Sequence, residues 1–108
     1  MIYLIHFLEP ISERHTTQHY IGYTDSLPER IQSHRSGYGA RLTQVAKERG
    51  IGFRVVRLWR GDRSLERKLK NRHDATRMCP VCNPGNSLAM GDSVALMPEE
   101  CKPYEIPF

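Results

Sequence analysis

Apolar positions fall along the chain in short blocks divided by polar, glycine and proline punctuation. Residues 2–8 form a near-continuous apolar run ended by Pro10, the pattern of a buried strand. A polar stretch at 9–17 separates it from a second apolar and aromatic run at 18–24, which reads as its hairpin partner. Gly22 inside that run predicts a bulge or a close approach by another backbone. The pattern then turns helical. Ser26 and Glu29 have capping-box spacing, Pro28 falls in the first turn, and Leu27 and Ile31 would face inward. After the Ser36-Gly37-Tyr38-Gly39 loop, a second helix is predicted over 40–49, with Leu42, Val45 and Ala46 on one side and Gly50 at its C-terminus. Residues 53–59 are β-branched and aromatic with no helical period, a third strand. Asp62 can cap a last helix over 63–73 that turns Leu65 and Leu69 inward. The predicted order is β-β-α-α-β-α: a small α+β domain around a three-stranded, mostly antiparallel sheet.

From residue 85 the chain changes character. Gly, Pro and acidic residues punctuate a weakly apolar stretch, so the expected division is a domain over 1–84 and an acidic C-terminal tail over 85–108. At 108 residues there is room for one domain and no second. The opening apolar run is interrupted by His6, too short to span a bilayer and without a basic leader, so neither membrane insertion nor export is expected. Three cysteines make an odd number, which suits a reducing, intracellular and hence cytoplasmic setting better than a disulfide scaffold.

Charge sharpens this picture. The formal net charge is only +4, but residues 30–77 hold fourteen of the sixteen Lys and Arg and four of the twelve acids. Twelve of the sixteen cations are Arg, the side chain suited to bidentate phosphate contacts. A basic block of this kind attracts a polyanion; the plainer reading is a solvated helix face.

The residues within these elements resemble a known family. Ile2-Tyr3 in the first strand and Tyr20-Ile21-Gly22 in the second are similar to the paired motif of the GIY-YIG nuclease superfamily, with Met1 at the usual glycine. Arg30 and His34 one helical turn apart, Leu65-Glu66-Arg67 in a late helix, and Cys-Pro-Val-Cys-Asn-Pro at 79–84 continue the family's order. The resemblance covers about residues 1–84. It implies a metal-dependent DNA endonuclease of low sequence selectivity or directed by DNA structure. Glu66 would hold a single Mg²⁺ or Mn²⁺, since one carboxylate suits one well-hydrated ion better than a two-metal clamp. A motif tyrosine would take the proton from the attacking water. Tyr3 is the first candidate, Tyr20 beside it positioning the water or sharing the proton. Because a free tyrosine has a pKa of ~10, nearby positive charge is expected to lower it. Arg30 would hold the scissile phosphate, His34 would orient a tyrosine or donate to phosphate, and Asn83 would support the site from the C-terminal side.

Taken singly, these residues have plainer readings: Tyr3 and Tyr20 as packed strand aromatics, and Glu66 with Lys70 as an i,i+4 ion pair. Contacts to DNA are expected from Arg35, Arg41, Lys47, Arg60, Arg63, Arg67 and Lys70. These would position phosphates and carry no base readout, so RNA stays open as a substrate. A double-strand break would need a homodimer or a protein partner. Cys79-x2-Cys82 is also half of a zinc site that His73 and Cys101 could complete, although that spacing matches no standard module and the family resemblance explains the segment as a closing turn. Two rival functions therefore stand beside the nuclease: a non-cleaving nucleic-acid-binding module on the same fold, and a zinc-stabilised interaction domain.

Overall fold

A computed structural model of the chain describes residues 1–11, 18–37, 39–82 and 93–95. Strands β1 (Ile2–Phe7) and β2 (His19–Tyr23) form the anticipated antiparallel hairpin, with Tyr3 opposite Gly22 and His6 opposite His19. Strand β3 (Phe53–Trp59) pairs antiparallel with the other side of β1. A short β4 (Ser93–Ala95) adds to β3, so the sheet runs β2-β1-β3-β4. The three expected strands are present, and a segment assigned to the tail extends them by one.

All six residues of β1 are buried, because both faces of the sheet are covered. Period-two alternation splits them between two cores. Tyr3, Ile5 and Phe7 pack with Leu27 and Ile31 of α1 (Leu27–Arg35) and Ala46 of α2 (Arg41–Glu48). Ile2 and Leu4 pack with Leu69 of α3 (Arg63–Arg72) and Met78 of α4 (Ala75–Met78), a single turn absent from the sequence reading. Each large apolar side chain so enclosed contributes roughly 1.5–3 kcal/mol.

A register shift between Leu4 and Ile5 opposes β3 unevenly, the signature of a β-bulge. It lets Val56 and Arg57 both serve the α3/α4 face. Val56 joins that core, and the buried Arg57 donates from Nε to the carbonyl of Met78 at 2.7 Å.

The helix ends show where local signals succeed. Asp62 caps α3 as expected, its carboxylate accepting from the N–H groups of Ser64 (3.0 Å) and Leu65 (3.2 Å). The Ser26–Glu29 capping box does not form. Ser26 makes no side-chain cap bond, and its own N–H donates to Oγ1 of Thr24 at 3.1 Å. Among the described residues no helix is long and apolar enough to cross a membrane.

Candidate functional site

Four segments converge at the β2 edge of the sheet on an open cleft of about 580 Å³. Tyr20 and Tyr23 come from β2, Asp25 from the following turn, Glu29 and Arg30 from α1, and Arg63, Glu66 and Lys70 from α3. The last three reach one cleft because spacings of three and four residues place them on one face of the helix. Lys70 Nζ lies 3.3 Å from Glu66 Oε2 and 5.4 Å from the centre of the Tyr20 ring, so the expected i,i+4 pair exists and forms part of the cleft wall. Arg63 stacks on Tyr23, with its guanidinium carbon 4.9 Å from the ring centre. Three carboxylates and three cations line the cleft, which leaves it without net formal charge.

Behind Arg30 runs a buried hydrogen-bonded chain. Arg30 Nε donates to the Tyr3 hydroxyl at 3.2 Å, and that hydroxyl lies 2.7 Å from His34 Nε2. On the far side of the ring, His34 Nδ1 lies 2.7 Å from Thr43 Oγ1, which donates to the carbonyl of Ala40 at 2.9 Å. Thr43 has one proton and spends it on that carbonyl, so His34 Nδ1 carries the ring hydrogen and Nε2 accepts from Tyr3. A longer approach of the Ala40 N–H to Nδ1, at 3.4 Å, is too weak to reverse this order. Tyr3, His34 and Thr43 are all fully enclosed.

Burial sets the protonation of this chain. It pushes the His34 imidazole down to about 4, with the positive Arg30 adding to the effect, so the ring is neutral. It pushes the Tyr3 hydroxyl up to about 12, outweighing the Arg30 hydrogen bond that favours ionisation. The expectation that positive neighbours lower Tyr3 is therefore overturned: desolvation is the larger effect. Tyr3 also does not line the cleft, whereas Tyr20 does. Of the two roles considered for His34, orienting a tyrosine matches its position, and full enclosure removes it from contact with phosphate.

Two glycines make the packing feasible. A Cβ on Gly22 would overlap the hydroxyl end of Tyr3 on the neighbouring strand and approach Cε1 of Tyr20 to 2.9 Å. The close approach foreseen at Gly22 thus comes from a side chain rather than from backbone. A Cβ on Gly39 would overlap the His34 ring, so this loop glycine clears space for the histidine.

Arg30, Glu66, Arg63 and Lys70 are brought together with Tyr20, while Tyr3 and His34 stand behind them. Arg35, Arg41, Lys47, Arg60 and Arg67 are exposed and lie outside the cleft lining. Asn83 lies outside the described residues, as does Cys101.

A second constellation was only half visible in the sequence. His6, His19, Cys79 and Cys82 bring one ligand atom each to within 4.8 Å of one another, a group that could hold a metal ion. Cys79 and Cys82 were the anticipated halves; His73 was not their partner. It sits at the C-terminus of α3 in the left-handed conformation (φ 54°), and the histidines beside the cysteines come from the hairpin. The overlooked signal was polarity in a core strand: His6 interrupts an otherwise apolar run. Without a metal, burial pushes the Cys79 thiol up to about 11, and burial followed by the neighbouring His6 pushes His19 down to about 4.

Compared with known proteins, no family model, no curated protein and no solved structure matches the chain.

Proposed function

We propose that the chain is a metal-dependent endonuclease of the GIY-YIG kind that hydrolyses DNA phosphodiesters in the β2-edge cleft. The observation that carries the proposal is the convergence of Tyr20, Arg30 and Glu66 from three separate elements on one open cleft. Hydrolysis needs a base for the attacking water, a cation on the phosphate and relief of charge at the leaving oxygen. Tyr20 takes the base role in preference to Tyr3, because its side chain reaches the cleft and Tyr3 keeps its proton on His34. To act as base Tyr20 must be the phenolate, its own proton having passed to water in the open cleft. As that phenolate takes the proton of the attacking water, Arg30 and Lys70 offset the charge developing on the phosphate. Arg30, held by Tyr3 from behind, binds the scissile phosphate by a charge-assisted hydrogen bond.

Glu66 suits a hydrated divalent ion on two counts. It is a largely enclosed carboxylate facing an open space, with 14% of its side chain exposed. A Mg²⁺ or Mn²⁺ there would also give a cleft of balanced charge the positive surplus that a phosphodiester requires. Such an ion supplies Lewis-acid neutralisation of phosphate charge. The exposed Arg35, Arg41, Lys47, Arg60 and Arg67 would draw the DNA backbone to the surface. The thiols of Cys79 and Cys82 suit a reducing cytoplasmic setting.

A plasmid-nicking assay with Mg²⁺ or Mn²⁺ tests this, comparing wild type with Glu66→Ala at matched thermal stability. Cleavage lost in the variant is expected; undiminished cleavage by Glu66→Ala would sink the assignment. Salt-sensitive DNA binding with no metal-dependent cutting in the wild type would transfer the site to a non-cleaving binding module.

A further inference from the structure

The cluster of His6, His19, Cys79 and Cys82 lies apart from the cleft, and its geometry can be held against that of a metal centre. His6 Nδ1 and His19 Nε2 are 3.3 Å apart. Cys79 Sγ is 3.5 Å and Cys82 Sγ 3.6 Å from His6 Nδ1, and Cys82 Sγ is 3.4 Å from His19 Nε2. A tetrahedral zinc with Zn–N ~2.0 Å and Zn–S ~2.3 Å requires N···N of about 3.3 Å and N···S of about 3.5 Å. All four distances match that tetrahedron to within about 0.2 Å. We propose that these four residues form a structural Cys₂His₂ zinc site, independent of the nuclease reading.

The fold explains how such a site is built. His6 and His19 are directly opposed in the β1–β2 register, so the hairpin fixes two ligands at once. Because His6 shares the strand parity of Ile2 and Leu4, it faces the α4 side of the sheet, where Cys79 follows the helix. Arg57 bonds the carbonyl of Met78 and thereby anchors the chain one residue before Cys79. The Cys79-Pro80-Val81-Cys82 turn then returns the second sulfur to the same point. Each cysteine gives up its proton as it ligates, and two thiolates balance the charge of Zn²⁺. Four protein ligands leave no open coordination position, so the ion would brace the hairpin against the end of the α4 segment and take no part in hydrolysis.

The rival explanation is a metal-free quartet joined by weak S–H···N bonds. Elemental analysis of the full chain purified under reducing conditions separates the two, together with Zn²⁺ titration of chelated protein followed by thermal melting. One zinc per chain and a rise in Tm on adding Zn²⁺ are expected. Co²⁺ in its place should give the visible absorption of a tetrahedral S₂N₂ centre. Cys82 is exposed and His19 only half-buried, so Cys82→Ser and His19→Asn should fold. Each should bind zinc more weakly by more than the ~10–100-fold that loss of an outer-shell partner costs, while His73→Asn keeps wild-type stoichiometry. A melting temperature indifferent to Zn²⁺, or a Cys82→Ser protein holding one zinc at wild-type affinity, would overturn the site.

Discussion

Replacing Tyr3 by Phe separates the two roles that a motif tyrosine can have. The change removes one oxygen and leaves the ring in place. Two groups lose a partner, His34 Nε2 at 2.7 Å and Arg30 Nε at 3.2 Å. His34 is wholly enclosed, so water cannot replace the lost donor. An unsatisfied buried acceptor costs about 1–3 kcal/mol, and Arg30, which reaches the cleft, can rehydrate and adds little. A loss near 2 kcal/mol in a domain of this size lowers Tm by roughly 8 °C or more. Cleavage should fall only about tenfold, the ~1.4 kcal/mol expected when Arg30 loses one of its positioning contacts. Tyr20→Phe should behave in the opposite way. It keeps stability within about 0.5 kcal/mol and loses the ~10²–10⁴-fold that a general base supplies. Thermal melting and single-turnover nicking on the same two preparations read both effects. If Tyr3→Phe melts like wild type and cuts no DNA while Tyr20→Phe still cuts, the buried chain is catalytic and the assignment is reversed.

Three further outcomes follow from the same geometry. His34, held at about 4 against an ordinary value near 6.5, binds a proton more readily in the unfolded chain. Its contribution, up to about 3 kcal/mol, is complete above pH 6.5 and is lost as pH falls towards 4; NMR titration of the ring showing a pKa of 6.5 or higher would contradict this. Gly22→Ala should destabilise the protein by about 1–3 kcal/mol in urea unfolding, because the new methyl overlaps the Tyr3 hydroxyl end; an unchanged midpoint would mean that Tyr3 has room to move. Arg41→Ala should weaken DNA binding uniformly across sequences and reduce the slope of log K against log salt by about 1, as fluorescence anisotropy over a salt series would show.

What was legible in the sequence was mostly local. The near-continuous apolar run of β1, the Asp62 cap and the inward Leu27, Ile31 and Leu69 depend on neighbours a few residues away, and each stands where pattern placed it. Long-range pairing was not legible. β4 comes from a weakly apolar stretch whose only strong strand signal is the edge of β3 waiting beside it. His6 and His19 become neighbours only through the hairpin register, and Thr43 becomes the partner of His34 only once α2 packs on α1. Even the Ser26–Glu29 capping box met local competition, since the Thr24 hydroxyl two residues upstream accepts from the Ser26 N–H that Glu29 would have used.

The candidate site shows the same division in a sharper form. Sequence order marked Tyr3, His34, Arg30 and Glu66 and weighed them all by charge, which predicts a tyrosine made acidic by cations. Burial is the quantity that sequence order does not carry, and here it decides the roles. Tyr3 and His34 lie on the inner side of Arg30, where desolvation keeps both uncharged, and they are suited only to hold it. Tyr20 and Glu66 lie on its outer side, where space for water and substrate begins. Arg30 is the member common to both sides, so a change in the buried chain should reach the cleft through its orientation. That route makes the Tyr3→Phe and Tyr20→Phe phenotypes separable.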